Sequence, residues 1–372
     1  MKKNVLVTVL DSLNYTTMPY NEFIIYRERK YPDEEQVVLL TGNEILIKDE
    51  DIPKNLKIYK VGKNPFRIRK ALYMIKKDCY GKGKSLVIHF HSLRGSLSTM
   101  IAMLGTLKYK WTLLTIHSTY TGYKLHNKVF SFIVSLFSHY TICVSNTSYN
   151  RFPSILKFLK KDRILAIQNG VNLERIDSGK TTLIADNTER KIRFVYIARF
   201  VPLKNHLFLI DVLKELREMG VDNIKFIFIG AETDNNKTRN YACEKGVIDM
   251  IEFTGLVPRE QVYKLLKQSN VYISSSTLEG LPVSVLEAMY CGLPCVLSDI
   301  PQHREVATSC SAVKVLPFEA NIWARYIKEL SGTPIANLFT MGLNCKEHIL
   351  ENFTLESMHK KYDLIYDNIR NS

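Results

Sequence analysis

What constrains this chain most is the regular alternation of short, almost uninterrupted apolar runs with longer stretches of helical period. In the first half the runs fall at residues 4–10, 36–40, 56–61, 86–90, 111–116, 140–144 and 164–167. Each is short and apolar at successive positions, as a strand covered on both faces must be. A second series follows from Lys191, at residues 194–198, 226–229, 252–254, 271–274, 295–297 and 313–316. Helical patterns fill the gaps. Asn64-Pro65 supplies an N-cap and a first-turn proline, after which Ile68, Leu72 and Ile75 share one face opposite basic residues. A helix over residues 124–138 lines up Ser131, Ser135 and Ser138. The alternation predicts an α/β chain with two parallel sheets flanked by helices, in which ligands bind outside the carboxyl ends of the strands. At 372 residues the chain exceeds what one core usually serves, and the polar segment 172–190 reads as a linker. The expected domains are residues 1–175 and 191–350, followed by a terminal helical segment over 351–372.

Charge is divided unevenly between the halves. The formal net charge is +14, and residues 1–180 hold 29 Lys+Arg against 14 Asp+Glu, so the whole excess lies there. Residues 52–94 alone carry twelve basic residues and one acid, Asp78. This bias points to an anionic partner for the first half. Nucleic acid is not expected, because no interleaved aromatic-basic motif of RNA binding accompanies the charge. The longest apolar stretch, residues 129–144, contains three serines and His139 and falls short of the roughly 20 clean residues of a membrane span. The opening MKKNVLVTVLDS meets Asp11 without a small-residue cleavage site, so no secretory leader is expected. Seven scattered cysteines, mostly in apolar surroundings, read as reduced buried thiols and favour a cytoplasmic location. Cys291 and Cys295 have no second pair or histidine cluster beside them, and no metal site is expected.

Two strand ends carry the chemistry. After the run 271–274 the chain reads SSSTLEGLPVSVLEAMYCG, placing Glu279 and Gly280 just before Pro282, a good first-turn residue. A helix N-terminus there would offer free N–H groups and its positive dipole end to a phosphate or sugar hydroxyl. Glu287 follows Glu279 by eight residues, about two turns, and is expected at the same crevice edge. After the run 194–198 come Arg199 and Lys204, a planar fork and a point charge suited to a diphosphate. Two acids and two bases at one crevice complement an anionic, hydroxyl-rich ligand such as a nucleotide sugar. Each residue also has an ordinary reading: a dipole-favoured helix start for the glutamates, surface charge for the bases.

At these residues the chain resembles the retaining glycosyltransferases of the GT-B fold, specifically glycosyltransferase family 4, the "glycosyl transferases group 1" type. IARFVPLKN is similar to the family's Arg/Lys donor-phosphate motif, and Glu279 to Glu287 to its E-x7-E motif. Supporting matches are Thr254-Gly255-Leu256-Val257, Tyr140-Thr-Ile-Cys-Val-Ser145, Gln168-Asn-Gly-Val-Asn172 and a closing helix over 353–369. The resemblance implies a GT-B architecture, two Rossmann-like domains with parallel sheets facing a central cleft, and a last helix that crosses back to the first domain. It implies that the second domain binds a nucleotide-diphosphate sugar and the first a glycan acceptor, with no metal and no further cofactor. Arg199 and Lys204 would hold the diphosphate, Glu287 the ribose, and Glu279 would face the transferred sugar. Val257 and the backbone of Gly280, Leu281 and Val283 would complete the donor site. Pro282 has no N–H to give. His117 matches the family's histidine beside the donor sugar, although a histidine at a strand end also has the ordinary role of a helix cap.

The reading is a transferase of capsule, O-antigen or exopolysaccharide synthesis, its acceptor lipid-linked and its basic first domain adsorbed on an anionic membrane surface. A nucleotide-sugar 2-epimerase and a non-catalytic sugar-nucleotide-binding protein are the alternatives. His89 and His91 flank Phe90 on what the alternation makes opposite sides, so at most one is expected in the cleft, His91 being the better candidate. His303 is expected in a loop near the donor. One departure stands out: the family's glycine-rich loop after the first strand is replaced by Asp11-Ser-Leu-Asn-Tyr-Thr-Thr, where Asn14, Thr16 and Thr17 are the available substitutes, and the first glycine is Gly42.

Overall fold

A computed structural model describes residues 4–13, 19–32, 34–45, 52, 56–81, 85–105, 111–178 and 191–371. The chain forms two compact units, Met1–Asn169 with Leu355–Ser372, and Gly170–Thr354. The first contains β1 (Asn4–Leu13), α1 (Pro19–Lys30), β2 (Glu35–Ile45), β3 (Lys57–Lys60), α2 (Pro65–Gly81), β4 (Ser85–Phe90), α3 (Leu93–Met103), β5 (Thr112–Ile116), α4 (Leu125–Phe137), β6 (Tyr140–Cys143), α5 (Asn146–Asn150), α6 (Ser154–Lys160) and β7 (Ile164–Ala166). The second contains α7 (Leu173–Asp177), β8 (Ile192–Ile197), α8 (His206–Glu218), β9 (Ile224–Ile229), α9 (Lys237–Glu244), β10 (Ile251–Gly255), α10 (Arg259–Lys267), β11 (Val271–Ser274), α11 (Val283–Tyr290), β12 (Cys295–Ser298), α12 (Pro301–Ala307), β13 (Val313–Leu316), α13 (Ala320–Ser331) and α14 (Ile335–Asn352). The last helix, α15 (Leu355–Asn371), returns to the first unit.

Both sheets are parallel, in the orders β3-β2-β1-β4-β5-β6-β7 and β10-β9-β8-β11-β12-β13. Strand order reverses beside β1 in one and beside β8 in the other, so the carboxyl ends of β1 and β4, and of β8 and β11, flank the crevices where such sheets bind ligands. The α/β architecture expected for the GT-B class is what each unit has. Alternation along β1 explains the layering of the first unit. Val5, Val7 and Val9 face a core shared by Ile68, Leu72 and Ile75 of α2, Met100 and Met103 of α3, and Val134 of α4. Leu6 and Leu10 face the other side, against Ile24 of α1 and Met358, Tyr362 and Ile365 of α15. An ion pair fastens that second layer: Arg27, 3% exposed, reaches Glu34 at 2.6 Å and Asp363 of α15 at 2.6 Å.

All thirteen expected strands are present, with shifted ends. β1 runs on past residue 10, because after a bulge Ser12 and Leu13 pair with Glu44 and Ile45 of β2. Polar residues in a ladder hide the strand from a hydrophobicity reading. The first glycine has its reason here: a Cβ at Gly42 would lie 1.8 Å from the Asp11 carbonyl oxygen. Asn14, Thr16 and Thr17 lie outside the described residues. The expected linker needs correction, since its first part folds as α7 within the second unit, capped by the Asn172 side chain on the Arg175 N–H. Residues 179–190 are not among those described. Among the cysteines, Cys243 is exposed and Cys291 half-buried, whereas the other five are buried; all seven are free thiols.

Candidate active site

In the second unit the strand ends on either side of the switch point are laced together by hydroxyl groups. β8 ends at Ile197, and Arg199 emerges exposed just beyond it. Gly230, at φ +153, lets the end of β9 close on this segment, where a Cβ would meet the Ala198 carbonyl oxygen at 2.1 Å. Pro202–Lys204 then forms a 3-10 turn ending at Asn205, whose φ of 51 is a left-handed conformation that Asn tolerates better than most residues. The turn is fixed from below. Tyr196 donates its hydroxyl to the Lys204 carbonyl at 2.8 Å, and Ser275 Oγ bonds the carbonyls of Lys204 and Asn205 at 3.1 and 2.9 Å. Tyr196 also lies 2.9 Å from Ser276 Oγ, while Ser298 donates to the Ser276 carbonyl at 2.5 Å. Burial pushes the Tyr196 phenol up, so it remains a donor at neutral pH.

On this scaffold Lys204 Nζ donates to Glu279 Oε1 at 2.5 Å, with side chains 26% and 13% exposed. The two residues expected to hold diphosphate and sugar are therefore paired with each other across the crevice mouth. Gly280 and Val283 are half-buried, Leu281 is buried, and Val257 is half-buried on the loop between β10 and α10. Pro282 proves to be the N-cap of α11 rather than its first residue; its carbonyl accepts from Val285 at 3.0 Å, leaving the Val283 and Ser284 N–H groups without partners inside the helix.

Glu287 departs from expectation. It is 2% exposed rather than at the crevice edge, and Oε1 accepts from Arg259 Nη2 at 2.6 Å, Tyr263 Oη at 3.1 Å and Arg175 Nη2 at 3.3 Å. Tyr263 Oη in turn accepts from Arg175 Nη2 at 2.6 Å and from Arg259 Nε at 3.1 Å. A carboxylate this deep requires such partners, since burying it unpaired is costly. That requirement was the available signal for Arg259. Arg175 was hidden because it lies in the presumed linker. His303 also needs correction: it is fully buried in the first turn of α12, because Nδ1 bonds the Ser298 carbonyl at 2.9 Å. A carbonyl only accepts, so Nδ1 carries the proton, and burial pushes the ring's pKa down to about 4.

In the first unit, His117 follows β5 and His91 follows β4, with His91 Nδ1 2.9 Å from His117 Nε2. One nitrogen must donate and the other accept, so the two tautomers are linked. Burial pushes His117 down to about 4 and His91 well below its usual value. The expected separation of His89 from His91 is wrong, because residues two apart share a face of a strand. Their rings lie 3.9 Å apart, and His89 is buried between Tyr366 Oη at 2.8 Å and Thr115 Oγ1 at 2.7 Å. Among the described residues no three His, Cys, Asp or Glu side chains converge as metal ligands, and no helix is long and apolar enough to cross a membrane.

A parallel sheet of this order, with cations and a helix N-terminus at its switch point, defines an α/β unit suited to an anionic ligand at its strand ends. Residues 181–331 match the family described as Glycosyl transferases group 1. It is 32% identical over 213 residues to "Capsular polysaccharide biosynthesis glycosyltransferase CapH" of Staphylococcus aureus, covering 56% of each chain. It is 25% identical over 218 residues to "UDP-Gal:alpha-D-GlcNAc-diphosphoundecaprenol alpha-1,3-galactosyltransferase" of Escherichia coli, covering 56% of this chain and 55% of that one. These matches thus span about half the length of those curated relatives. In fold, the chain is similar to the crystal structure of Anabaena Alr3699/HepE in complex with UDP and glucose, with a TM-score of 0.78 and 14% identity over 98% of this chain and 100% of the other.

Proposed function

We propose that this chain is a retaining, metal-independent glycosyltransferase that moves a sugar from a nucleotide-diphosphate donor to a lipid-linked glycan during surface-polysaccharide synthesis. The observation that carries the reading is the Lys204–Glu279 pair at the β8/β11 switch point, with Arg199 exposed just past the end of β8 and α11 starting four residues after Glu279. Arg199 and Lys204 stabilise charge on the departing nucleoside diphosphate as the glycosidic bond breaks, which is electrostatic catalysis by preorganised groups. Glu279 faces the transferred sugar, and the Val283 N–H adds a donor. Val257, Gly280 and Leu281 line the same donor site. His117, held neutral, is an uncharged partner for a sugar hydroxyl. The UDP and glucose in the structural neighbour and the diphosphoundecaprenol acceptor in the name of one relative support the donor and acceptor classes. The basic first unit adsorbs on the anionic inner face of the cell membrane, where such an acceptor resides.

Screening nucleotide sugars for thermal stabilisation tests the donor side: a ligand at a hundredfold its dissociation constant contributes about 2.7 kcal/mol. Transfer then survives chelator, and donor alone stays unchanged. Conversion of donor without acceptor would mark an epimerase instead.

A further inference from the structure

We propose that Asp11, near the carboxyl end of β1, is an acceptor-binding residue whose carboxylate takes a hydrogen bond from a hydroxyl of the acceptor sugar. This rests on the transferase reading above and deepens it, naming a group by which the first unit recognises its acceptor. β1 is the strand beside which the order of the first sheet reverses, so its carboxyl end borders the crevice where such sheets bind ligands. The ladder to β2 breaks at Asp11: Leu10 pairs with Leu40 and Ser12 with Glu44, which leaves Asp11 opposite Thr41, Gly42 and Asn43. A bulge of this kind re-aims the side chain that stands in it.

The carboxylate is held in place by close contacts. Thr41 is buried, and its Oγ1 lies 2.8 Å from the Leu10 carbonyl oxygen and 2.8 Å from Asp11 Oδ1, so its one proton serves both acceptors. Gly42 admits no side chain, because a Cβ would lie 1.8 Å from the Asp11 carbonyl oxygen. Gly95, in the first turn of α3, admits none either, because a Cβ would lie 2.2 Å from Thr41 Oγ1. The start of α3 is thus pressed against the hydroxyl that holds Asp11. Helix capping does not explain the acid, since the N-cap of α3 is Ser92, whose Oγ accepts from the Gly95 N–H at 3.1 Å. Charge balance does not explain it either. Residues 1–180 carry 29 Lys+Arg against 14 Asp+Glu, yet among the described residues Thr41 is the hydrogen-bond partner of Asp11 and no cation pairs with it. A half-buried carboxylate at a crevice with no cation beside it repels phosphate, which excludes the diphosphate of donor or acceptor as its occupant. It only accepts hydrogen bonds, and with Oδ1 engaged by Thr41, Oδ2 is left to take one from a hydroxyl. The His91 N–H donates to the Val9 carbonyl at 3.2 Å, so Asp11 and the His91–His117 pair stand at the same end of the sheet.

The full chain is assayed with prenyl-diphosphate-linked N-acetylglucosamine, glucose and galactose as acceptors, and then with monodeoxy analogues of the one used best. Asp11→Asn keeps the size of the side chain and an oxygen for Thr41. It should lower kcat/KM for the acceptor by about ten- to a hundredfold, the worth of a hydrogen bond to a charged group, chiefly through the acceptor KM. Donor KM and melting temperature should not change. One deoxy analogue should cost wild type a similar factor and cost Asp11→Asn nothing more, because both changes delete the same bond. Thr41→Val, which frees the carboxylate from its holder, should raise the acceptor KM in the same direction by a smaller factor. An unchanged acceptor KM in Asp11→Asn, or losses that add with every deoxy analogue, overturns the proposal. So does a fall in melting temperature with both KM values unchanged, which would make Asp11 a structural residue. Absence of transfer by wild type would defeat the transferase reading instead, and binding of the three acceptors, followed by saturation-transfer NMR, then decides Asp11. A signal in wild type that Asp11→Asn loses supports the proposal, and equal signals or none overturn it.

Discussion

Lys204 and Glu279 meet at 2.5 Å across the two loops that leave β8 and β11, so the cation proposed to bind the donor diphosphate is itself held by a carboxylate. The pair keeps an ammonium positioned in a half-buried site where, alone, it would be mobile and partly desolvated. A diphosphate must share or replace that carboxylate. Lys204→Ala and Arg199→Ala should each lower turnover by about two to three orders of magnitude, as removal of a preorganised charge-stabilising donor does. The pairing adds a sharper expectation, because residues in contact do not act additively. A double-mutant cycle of Lys204→Ala with Glu279→Gln should show clear coupling in kcat/KM. Simple additivity would mean the contact has no part in transfer.

Tyr196 acts through Lys204 without reaching the crevice. Its hydroxyl bonds the Lys204 carbonyl and Ser276, next to a left-handed Asn205. Tyr196→Phe keeps the ring packing and removes the bond, a change of about 1 kcal/mol or slightly more. Turnover should fall several-fold to tenfold while donor KM stays nearly constant. A rise in KM alone, with turnover unchanged, would show that the hydroxyl does not position the lysine during transfer.

The cluster around Glu287 predicts effects on stability. Arg259→Ala removes the closest cation, and Arg175 at 3.3 Å compensates only in part. The expected loss is about 1–3 kcal/mol of stability, the range for leaving a buried polar group poorly satisfied. Melting curves of Arg259→Ala and Arg175→Ala should therefore both shift down, the first further. Glu287→Ala removes the buried acceptor of Arg259, Tyr263 and Arg175 and should lower the melting temperature at least as far as Arg259→Ala.

Buried neutral histidines make the fold acid-sensitive. His303 is pushed down to about 4 and His206 to about 3, in both cases mainly by burial. Between pH 6.5 and 4 the unfolded chain binds protons that the folded chain does not, so the unfolding free energy falls as pH falls. For one histidine with these limits the loss at pH 5 is about 2 kcal/mol. His303→Gln should flatten the dependence of melting temperature on pH between 6.5 and 5. An unchanged slope would show that His303 protonates in place.

Much of this was legible in the sequence because parallel strands buried on both faces are written as continuous apolar runs. The thirteen strands were readable for that reason, as were the switch-point positions of Arg199, Lys204 and Glu279. What was not legible depends on which partners the folded chain brings to each polar side chain. Glu287 reads as a crevice-edge acid until Arg175 and Arg259, separated from it by 112 and 28 residues, are seen to bury it. His303 reads as a loop residue until Ser298 draws it inward. The end of β1 was invisible because Asp11 and Ser12 interrupt its apolar run before Leu13, which pairs with Ile45 of β2.

Retaining, metal-independent transfer is decided by incubating the chain with a stabilising nucleotide sugar and a polyprenyl-diphosphate glycan in the presence of chelator, and following the products by NMR. Stoichiometric release of nucleoside diphosphate and a new glycosidic bond with the donor's own anomeric configuration are expected, both strongly reduced in Arg199→Ala/Lys204→Ala. Inverted configuration, a strict need for divalent metal, or full activity in that double variant would contradict it.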